Sequence, residues 1–263
     1  MQILSYQGLK LDSTLQQKIE DSLVVEAPIQ ININNKPYTV VMRTPGNDID
    51  LVRGLLFAED IFKSNRYFNF DITKKENNIP TIVNITIAKE DLGKGYLNKR
   101  TLLSVSSCGI CGKTALTDLE VSGVKLSSER IVMAKNIFKM FELMEIHQKT
   151  FQKTGGSHAA AIFNAQHTLL SINEDIGRHN AVDKSIGALL LKKQLKDATY
   201  LLVSGRVSYE IVTKAFIAKI PIIIAVSACS SLAVDFAKEF GICLIGFSRA
   251  NKMTVYTNPS YLK

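Results

Sequence analysis

Two cysteines, Cys108 and Cys111, stand three positions apart in a glycine-rich segment and are the residues best suited to do chemistry. Glycines between and after them allow a loop conformation that leaves a sulfur uncovered. The apolar residues 102–105 predict a short strand before the pair, and residues 113–120 predict a short helix after it. The N-terminus of a helix favours an anion, so this position suits a cysteine held as a thiolate.

Three chemistries use a pair of cysteines with this spacing. A structural zinc site needs two further ligands, but Cys229, Cys243 and the four histidines form no second paired motif. A thioredoxin-like redox pair opens the first helix near the start of its fold, whereas this pair lies in the middle of the chain. A sulfur carrier needs one accessible thiol of low pKa and a neighbour that helps to release the sulfur. The residues alone leave redox chemistry and sulfur transfer equally favoured.

A second polar cluster occupies residues 173–184, between a predicted strand and a predicted helix. Arg178, His179 and Asp183 share one face of that helix by their spacing. The alternative is a capping network, in which Asp175 caps the helix and Arg178 pairs with Glu174 at the surface. The density of polar side chains favours a functional site. His158 faces the same cleft or is a hydrogen-bonded histidine at a strand end.

The first third of the chain predicts a small mixed unit. Alternating isoleucines predict a β-hairpin over residues 29–43, and helical spacing predicts an amphipathic helix over 48–62. The polar residues 63–80 predict a surface excursion, and residues 83–87 predict another strand. A loop at 90–95 is a plausible subdomain boundary.

The last half of the chain predicts an α/β core. One helix is predicted over 133–153 and a hairpin over 157–172. Helices then alternate with strands, which indicates a largely parallel sheet covered on both faces. These predicted elements are helices 178–193, 207–219 and 230–240, and strands 199–203, 221–226 and 242–247.

Ligands of such sheets bind beyond the carboxyl ends of the strands. Those ends are residues 204–206, 227–231 and 247–252, which combine small residues and hydroxyls with two arginines. The composition suits a phosphate-bearing ligand, and ordinary β–α turns explain it equally well.

The net charge of +8 and the sequence pI near 9.2 are compatible with an acidic partner, but on charge alone an ordinary solvated lysine surface is favoured. The lysines are scattered and form no stripe interleaved with aromatic residues, so no nucleic-acid partner is expected. The first residues lack the pattern of a signal peptide, and the longest apolar run is too short to span a bilayer. A cytoplasmic protein without a membrane span is therefore expected.

The sequence resembles the FdhD family, the formate dehydrogenase accessory sulfurtransferases, over nearly its whole length. The resemblance rests on ordered motifs at residues 44–51, 106–112, 155–160, 174–184, 204–206 and 227–233. It implies α/β architecture: a cytidine-deaminase-like mixed sheet with helices on both faces, plus an N-terminal α+β subdomain. The implied division is a subdomain over residues 1–98, and the CxxC loop with the core over 99–263.

The resemblance also implies a function. Such proteins accept sulfane sulfur from a cysteine desulfurase as a persulfide on the CxxC loop. They deliver it to the molybdenum or tungsten bis(guanine dinucleotide) cofactor that formate dehydrogenase requires. Cys108 would carry the persulfide and Cys111 would assist. A homodimer is also implied, with no tightly held metal ion of its own. The predicted cofactor-binding residues are Phe247, Ser248, Arg249, Ala250, Asn251 and Lys252, together with Arg206, Arg178 and His179.

Two rival functions share parts of this pattern. A zinc deaminase is excluded because a glutamate two positions after His179 and a cysteine pair at the next helix are both missing. A non-catalytic cofactor-binding chaperone, whose CxxC is structural or binds zinc, remains an alternative. The sequence departs from the family at Ser157 and at Cys229, where proline is usual. Cys229 is therefore either a buried small residue or a third reactive thiol.

Overall fold

The computed structural model describes residues 2–64, 66, 68–97, 123–127 and 132–263. Cys108, Cys111 and the strand and helix predicted beside them lie outside the described residues. The predicted boundary between residues 98 and 99 also lies outside them, so the division into two domains stays a prediction.

The described residues of the N-terminal part form two sheets, one α-helix and two short 3₁₀ helices at Lys89–Asp91 and Lys94–Leu97. A two-stranded antiparallel hairpin comes first and is followed by a four-stranded sheet of order β4-β3-β6-β5. The predicted hairpin over 29–43 is confirmed as β3 and β4, with Asn34 and Asn35 both at positive φ in its turn. The elements are β1 (Ile3–Leu11), β2 (Gln16–Val24), β3 (Ala27–Ile33), β4 (Lys36–Arg43), α1 (Asp48–Ala58), β5 (Asn69–Glu76) and β6 (Ile79–Thr86).

Two expectations for this part were wrong. The polar residues 63–80 do not form a simple surface excursion, because β5 pairs antiparallel with β6 at the edge of the sheet. An edge strand that is exposed on nearly every side chain carries no alternation of apolar residues, so its sequence reads as a loop. Helix α1 ends at Ala58, four residues before the predicted end, and Asp60 at positive φ turns the chain away.

The C-terminal part is built on a six-stranded sheet of order β12-β11-β10-β9-β7-β8. The predicted strands and helices from residue 157 onward are confirmed, with ends that differ by at most three residues. Their bounds are α2 (Ala134–His147), α3 (Lys149–Thr154), β7 (His158–Asn164), β8 (Leu169–Asp175), α4 (Arg178–Leu191), β9 (Ala198–Val203), α5 (Tyr209–Ile217), β10 (Ile222–Ala225), α6 (Ser231–Phe240), β11 (Cys243–Arg249) and β12 (Lys252–Val255).

The sheet is mixed rather than largely parallel. Strands β9, β10 and β11 run parallel, whereas β7, β8 and β12 run antiparallel to their neighbours. Alternate residues of the central strands enter two separate apolar clusters, one shared with α4, α5 and α6 and the other with α2. The α/β architecture with helices on both faces is therefore confirmed.

The helix predicted over 133–153 is two helices that meet at Gln148. The backbone of Gln148 leaves the helical region at ψ 61°. The amides of Thr150 and Phe151 then donate to the carboxylate of Glu174, at 2.8 and 2.7 Å. A carboxylate from β8 thus caps a new helix start, which the periodicity of residues 133–153 does not reveal.

Helices α1 and α4 pack so closely that each needs a glycine at the crossing. A Cβ on Gly54 would overlap the carbonyl oxygen of Asp183, and a Cβ on Gly187 would overlap that of Asp50. The N-terminal sheet and the core sheet are joined through this helix pair.

We expect Gly54→Ala and Gly187→Ala each to lower the free energy of unfolding by about 2–3 kcal/mol, because the helices must separate to admit a methyl group. Chemical denaturation measures this. Ile49→Val, at an exposed position of α1, is the control and should change it by less than about 0.5 kcal/mol. Equal stability of all three variants would contradict close packing at the crossing.

Candidate functional site at the carboxyl ends of the strands

The carboxyl-terminal ends of β9, β10 and β11 and the residues that follow β9 and β10 are joined by backbone hydrogen bonds. The amide of Val207 donates to the carbonyl of Ala228, and the amide of Ser230 donates back to that of Val207, both at 3.0 Å. The amide of Phe247 donates to the carbonyl of Ser227 at 3.0 Å. The three strand ends singled out from the sequence therefore form one continuous edge.

The predicted cofactor-binding segment, residues 247–252, is a hairpin tip. The sequence placed it after the last strand, but β12 follows and pairs back on β11. Ala250 and Asn251 form the turn with φ of 49° and 58°, the pattern of a two-residue type I′ hairpin. Arg249 and Lys252 lie directly opposite each other across this turn, and both side chains are exposed. The tip presents two cations side by side.

Ser248 lies buried beneath this tip, only 3% exposed. Phe247 before it takes a left-handed φ of 52°, where the pairing of β11 with β12 shifts register. Within the part of the chain that the structure describes, the Ser248 hydroxyl has no hydrogen-bond partner. A buried hydroxyl without a partner costs about 1–3 kcal/mol, so a ligand oxygen there would be stabilising.

His158 and Arg178 lie on either side of Gly205. A Cβ on Gly205 would stand 3.1 Å from His158 Nδ1 and 3.3 Å from the side chain of Arg178. His158 begins β7, and because β7 runs antiparallel to β9, its start lies at the carboxyl end of β9. The sequence raised His158 only as one of two possibilities. His158 lies at the site because β7 runs antiparallel to β9. The alternation of helices and strands in the sequence predicted parallel strands and so did not indicate this position.

Charge at this end of the sheet is positive. Burial lowers the pKa of His158, Arg178 and Arg206 lower it further, and Asp175 opposes them. His158 is therefore neutral at pH 7. The Nε atom of Arg178 is buried and finds no partner among the described residues, whereas Arg206 is exposed. Two guanidinium groups beside a neutral histidine suit an anionic ligand.

His179 does not reach this edge. Its side chain is 2% exposed, its Nε2 lies 3.0 Å from the Ser208 hydroxyl, and its Nδ1 lies 3.4 Å from Glu210. Asp183, one turn later, accepts two hydrogen bonds from Lys214 at 2.7 and 2.8 Å. These contacts tie α4 to α5, so the role predicted for His179 in cofactor binding stays a prediction.

The remaining polar residues of 173–184 hold structure together. Glu174 caps α3 rather than pairing with Arg178. Asp175 caps the start of α4, as the capping alternative anticipated, by accepting from the Gly177 amide at 2.8 Å. The cluster thus combines both interpretations: Arg178 lies at the strand-end site, and the other polar side chains form capping and packing contacts.

The two described cysteines are poor nucleophiles. Burial raises the pKa of Cys229 to about 11 and that of Cys243 to about 12. Both thiols are therefore protonated at neutral pH. Cys229 packs against Gly246, where a Cβ would stand 3.1 Å from its sulfur. The environment of Cys229 favours a packing role over that of a third reactive thiol.

Comparison with known proteins decides the family. A family model described as FdhD/NarQ matches residues 24–263. The chain belongs to the FdhD/NarQ family. Relatives named sulfur carrier protein FdhD include one from Sulfolobus acidocaldarius, 41% identical over 98% of both chains. Another, from Nocardia farcinica, is 39% identical over 93% of this chain and 89% of its own.

A solved structure supports the fold. It is described as a putative formate dehydrogenase accessory protein from Desulfotalea psychrophila, and it covers 100% of both chains with a TM-score of 0.78 and 20% identity. At 20% identity, this similarity supports the fold of the present chain and says nothing about its function. In the described residues, no helix has the length and apolar character needed to cross a membrane.

We expect Arg206→Gln to raise the pKa of His158, because one of the cations that lower it is removed. NMR titration of the histidine rings measures this, and Arg66→Gln, on the N-terminal sheet side, is the control. The pKa of His158 is lowered in the folded protein, whereas the unfolded chain has the usual histidine pKa of about 6.5. As the pH falls, the unfolded chain therefore binds a proton before the folded protein does. The stability that this group contributes is lost as the pH falls through that range. An unchanged titration in Arg206→Gln would show that the two groups are not neighbours.

Proposed function

We propose that this protein is a sulfur carrier required for formate dehydrogenase activity. The observation that carries the proposal is the match, over nearly the whole chain, to relatives named sulfur carrier protein FdhD. The name of the structural neighbour, a formate dehydrogenase accessory protein, agrees with it. The basic strand-end site and the CxxC pair supply the two parts that a carrier needs, an acceptor site and a thiol.

Cys108 receives the sulfur in this proposal. Its thiolate attacks the outer sulfur of a persulfide on a cysteine desulfurase, a new S–S bond forms, and the desulfurase leaves as its own thiolate. The Cys111 thiolate then attacks Cys108 and expels the outer sulfur as sulfide. The resulting disulfide balances the two electrons that the sulfide carries away, and a cellular dithiol reduces it for the next cycle.

The acceptor is the molybdenum or tungsten bis(guanine dinucleotide) cofactor, which is a substrate here and supplies the metal that takes the sulfur. Its diphosphates fit the strand-end site because four cations lie along one edge: Arg178, Arg206, Arg249 and Lys252. The buried Ser248 hydroxyl and Arg178 Nε, which find no partner among the described residues, are further candidate donors for phosphate oxygens. Phe247, Ala250 and Asn251 shape the tip.

The proposed partners are a cysteine desulfurase, formate dehydrogenase and a second copy of this chain. The proposed compartment is the cytoplasm.

Incubation with a cysteine desulfurase and cysteine should add about 32 Da, one sulfur atom, to the peptide that contains Cys108 and Cys111. Intact and peptide mass spectrometry measure the adduct. Cys108→Ala should abolish it, whereas Cys243→Ala, which removes a buried thiol, is the control and should retain it. No adduct on the native protein would refute the carrier function.

The same variants separate the carrier from the chaperone. If Cys108→Ala restores formate dehydrogenase activity in a strain that lacks the native protein, the CxxC is structural and the chaperone alternative holds.

The double variant Arg249→Gln, Lys252→Gln should bind guanosine diphosphate about 10- to 100-fold more weakly, because two charge-assisted contacts to phosphate are lost. Isothermal titration calorimetry measures this. Lys74→Gln with Lys75→Gln removes two cations from the exposed strand β5 and is the matched control. Equal affinities of the two double variants would show that net charge, rather than the hairpin tip, binds the nucleotide.

A further inference from the structure

The Ser208 hydroxyl contacts a buried histidine instead of capping its own helix. Ser208 is the residue before α5, a position where a serine side chain usually accepts from a first-turn amide. It makes no such bond, and its Oγ lies 3.0 Å from Nε2 of His179. Ser230, the residue before α6, shows the usual arrangement, because its hydroxyl accepts from the Ala233 amide at 3.2 Å. The Ser208 hydroxyl is therefore available for a role other than capping.

A carboxylate lies on the other side of the same imidazole ring. Nδ1 of His179 is 3.4 Å from Oε2 of Glu210, and the two side chains are 2% and 14% exposed. The other oxygen of Glu210 lies 3.5 Å from Nζ of Lys214, which compensates its charge. A proton on Nδ1, facing the carboxylate, leaves the lone pair of Nε2 facing the Ser208 hydroxyl. Serine, histidine and acid thus stand in the order that serine hydrolases use to activate an alcohol.

The surroundings of Ser208 suit an attack on a carbonyl group. Ser208 is half-buried, whereas the histidine behind it is shielded from water. The N–H groups at the start of a helix stabilise an oxyanion, and α5 begins at the next residue, Tyr209. Arg206, two residues before Ser208, is exposed, and Arg178 directly precedes the histidine. The substrate expected here is an acyl ester or thioester that carries a negatively charged group.

We propose that Ser208 is the nucleophile of an acyl hydrolase site, with His179 as its base and Glu210 as the residue that positions the histidine. The Ser208 oxygen bonds to the acyl carbon while its proton passes to Nε2 of His179. The bond from that carbon to the leaving oxygen or sulfur then breaks, and the leaving group takes the proton. Water, activated by the same nitrogen, releases the acyl group as a carboxylic acid and restores the serine. This activity goes beyond the sulfur-carrier function and does not rest on it.

A fluorophosphonate probe tests the nucleophile, because it bonds to an activated serine with loss of fluoride. Peptide mass spectrometry on the full chain should place one probe on Ser208 of the native protein, and Ser208→Ala should abolish this labelling. Ser5→Ala is the control and should retain it, since Ser5 is an exposed serine whose hydroxyl donates to Glu20 rather than to a histidine. No probe on Ser208 of the native protein, or equal labelling of Ser208→Ala, would overturn the proposal.

Variants of the other two residues test their roles. We expect His179→Gln to lower the second-order rate constant of labelling at least about 100-fold, and Glu210→Gln to lower it about 10- to 100-fold. Glu210→Asp keeps the negative charge and should recover part of the loss, which a merely structural role does not predict. Thermal midpoints are measured alongside, and if His179→Gln does not fold, the two Glu210 variants decide. Labelling of Glu210→Gln at the native rate would overturn the positioning role.

Two nitrophenyl esters test the substrate class. The protein should hydrolyse mono(p-nitrophenyl) succinate with a kcat/KM at least about tenfold higher than p-nitrophenyl acetate, because only the first carries a negative charge. Arg206→Gln should bring the two values together. Thiolates also attack such esters, so only the turnover that Ser208→Ala removes is counted. Equal values for both esters in the native protein would overturn the choice of an anionic substrate.

Discussion

Lys184 and Asp175 form an ion pair with an Nζ–Oδ2 distance of 2.7 Å, and their side chains are 1% and 0% exposed. Neither charge has water to solvate it, so each depends on the other and on backbone groups. Lys184 also donates to the carbonyl of Thr44 at 2.8 Å, and the Thr44 amide donates to Asp175 at 3.1 Å. Thr44 belongs to the turn after β4, so the pair joins the N-terminal sheet to the core. Loss of one partner of a buried pair costs about 3–5 kcal/mol.

The same carboxylate shapes the candidate site. The second oxygen of Asp175 accepts from the Gly177 amide and from Asn180, which sets where α4 begins and hence where Arg178 lies. Asp175 is also in register with His158 across β7 and β8, and it counteracts the arginines that lower the pKa of that histidine. One buried carboxylate therefore fixes both the joint between the sheets and one side of the anion site.

The sequence revealed the parts of the fold that repeat a local pattern. Buried strands such as β10 are continuous apolar runs, and helix α6 ends at Gly241 in the left-handed conformation that only glycine takes easily. It did not reveal the elements set by distant contacts. The break at Gln148 depends on Glu174 from another strand, and the polar edge strand β5 has no pattern of its own.

The location of the candidate site at the strand ends could be predicted from the topology. The buried position of His179 could not, because it depends on contacts with α5 and the residue before it.

Different structural elements position the two sides of the anion site. Arg178 stands at the start of α4, so its position depends on the buried pair and on the packing of α4 against α1. Arg249 and Lys252 stand on a two-residue hairpin whose geometry is local, since its turn residues take the left-handed conformation and the strands pair on either side. The hairpin side is thus independent of the N-terminal sheet, while the Arg178 side responds to any shift of that sheet. A change at the N-terminal sheet can therefore reach the Arg178 side of the site through α4 and through the bonds of Thr44 to Asp175 and Ile176.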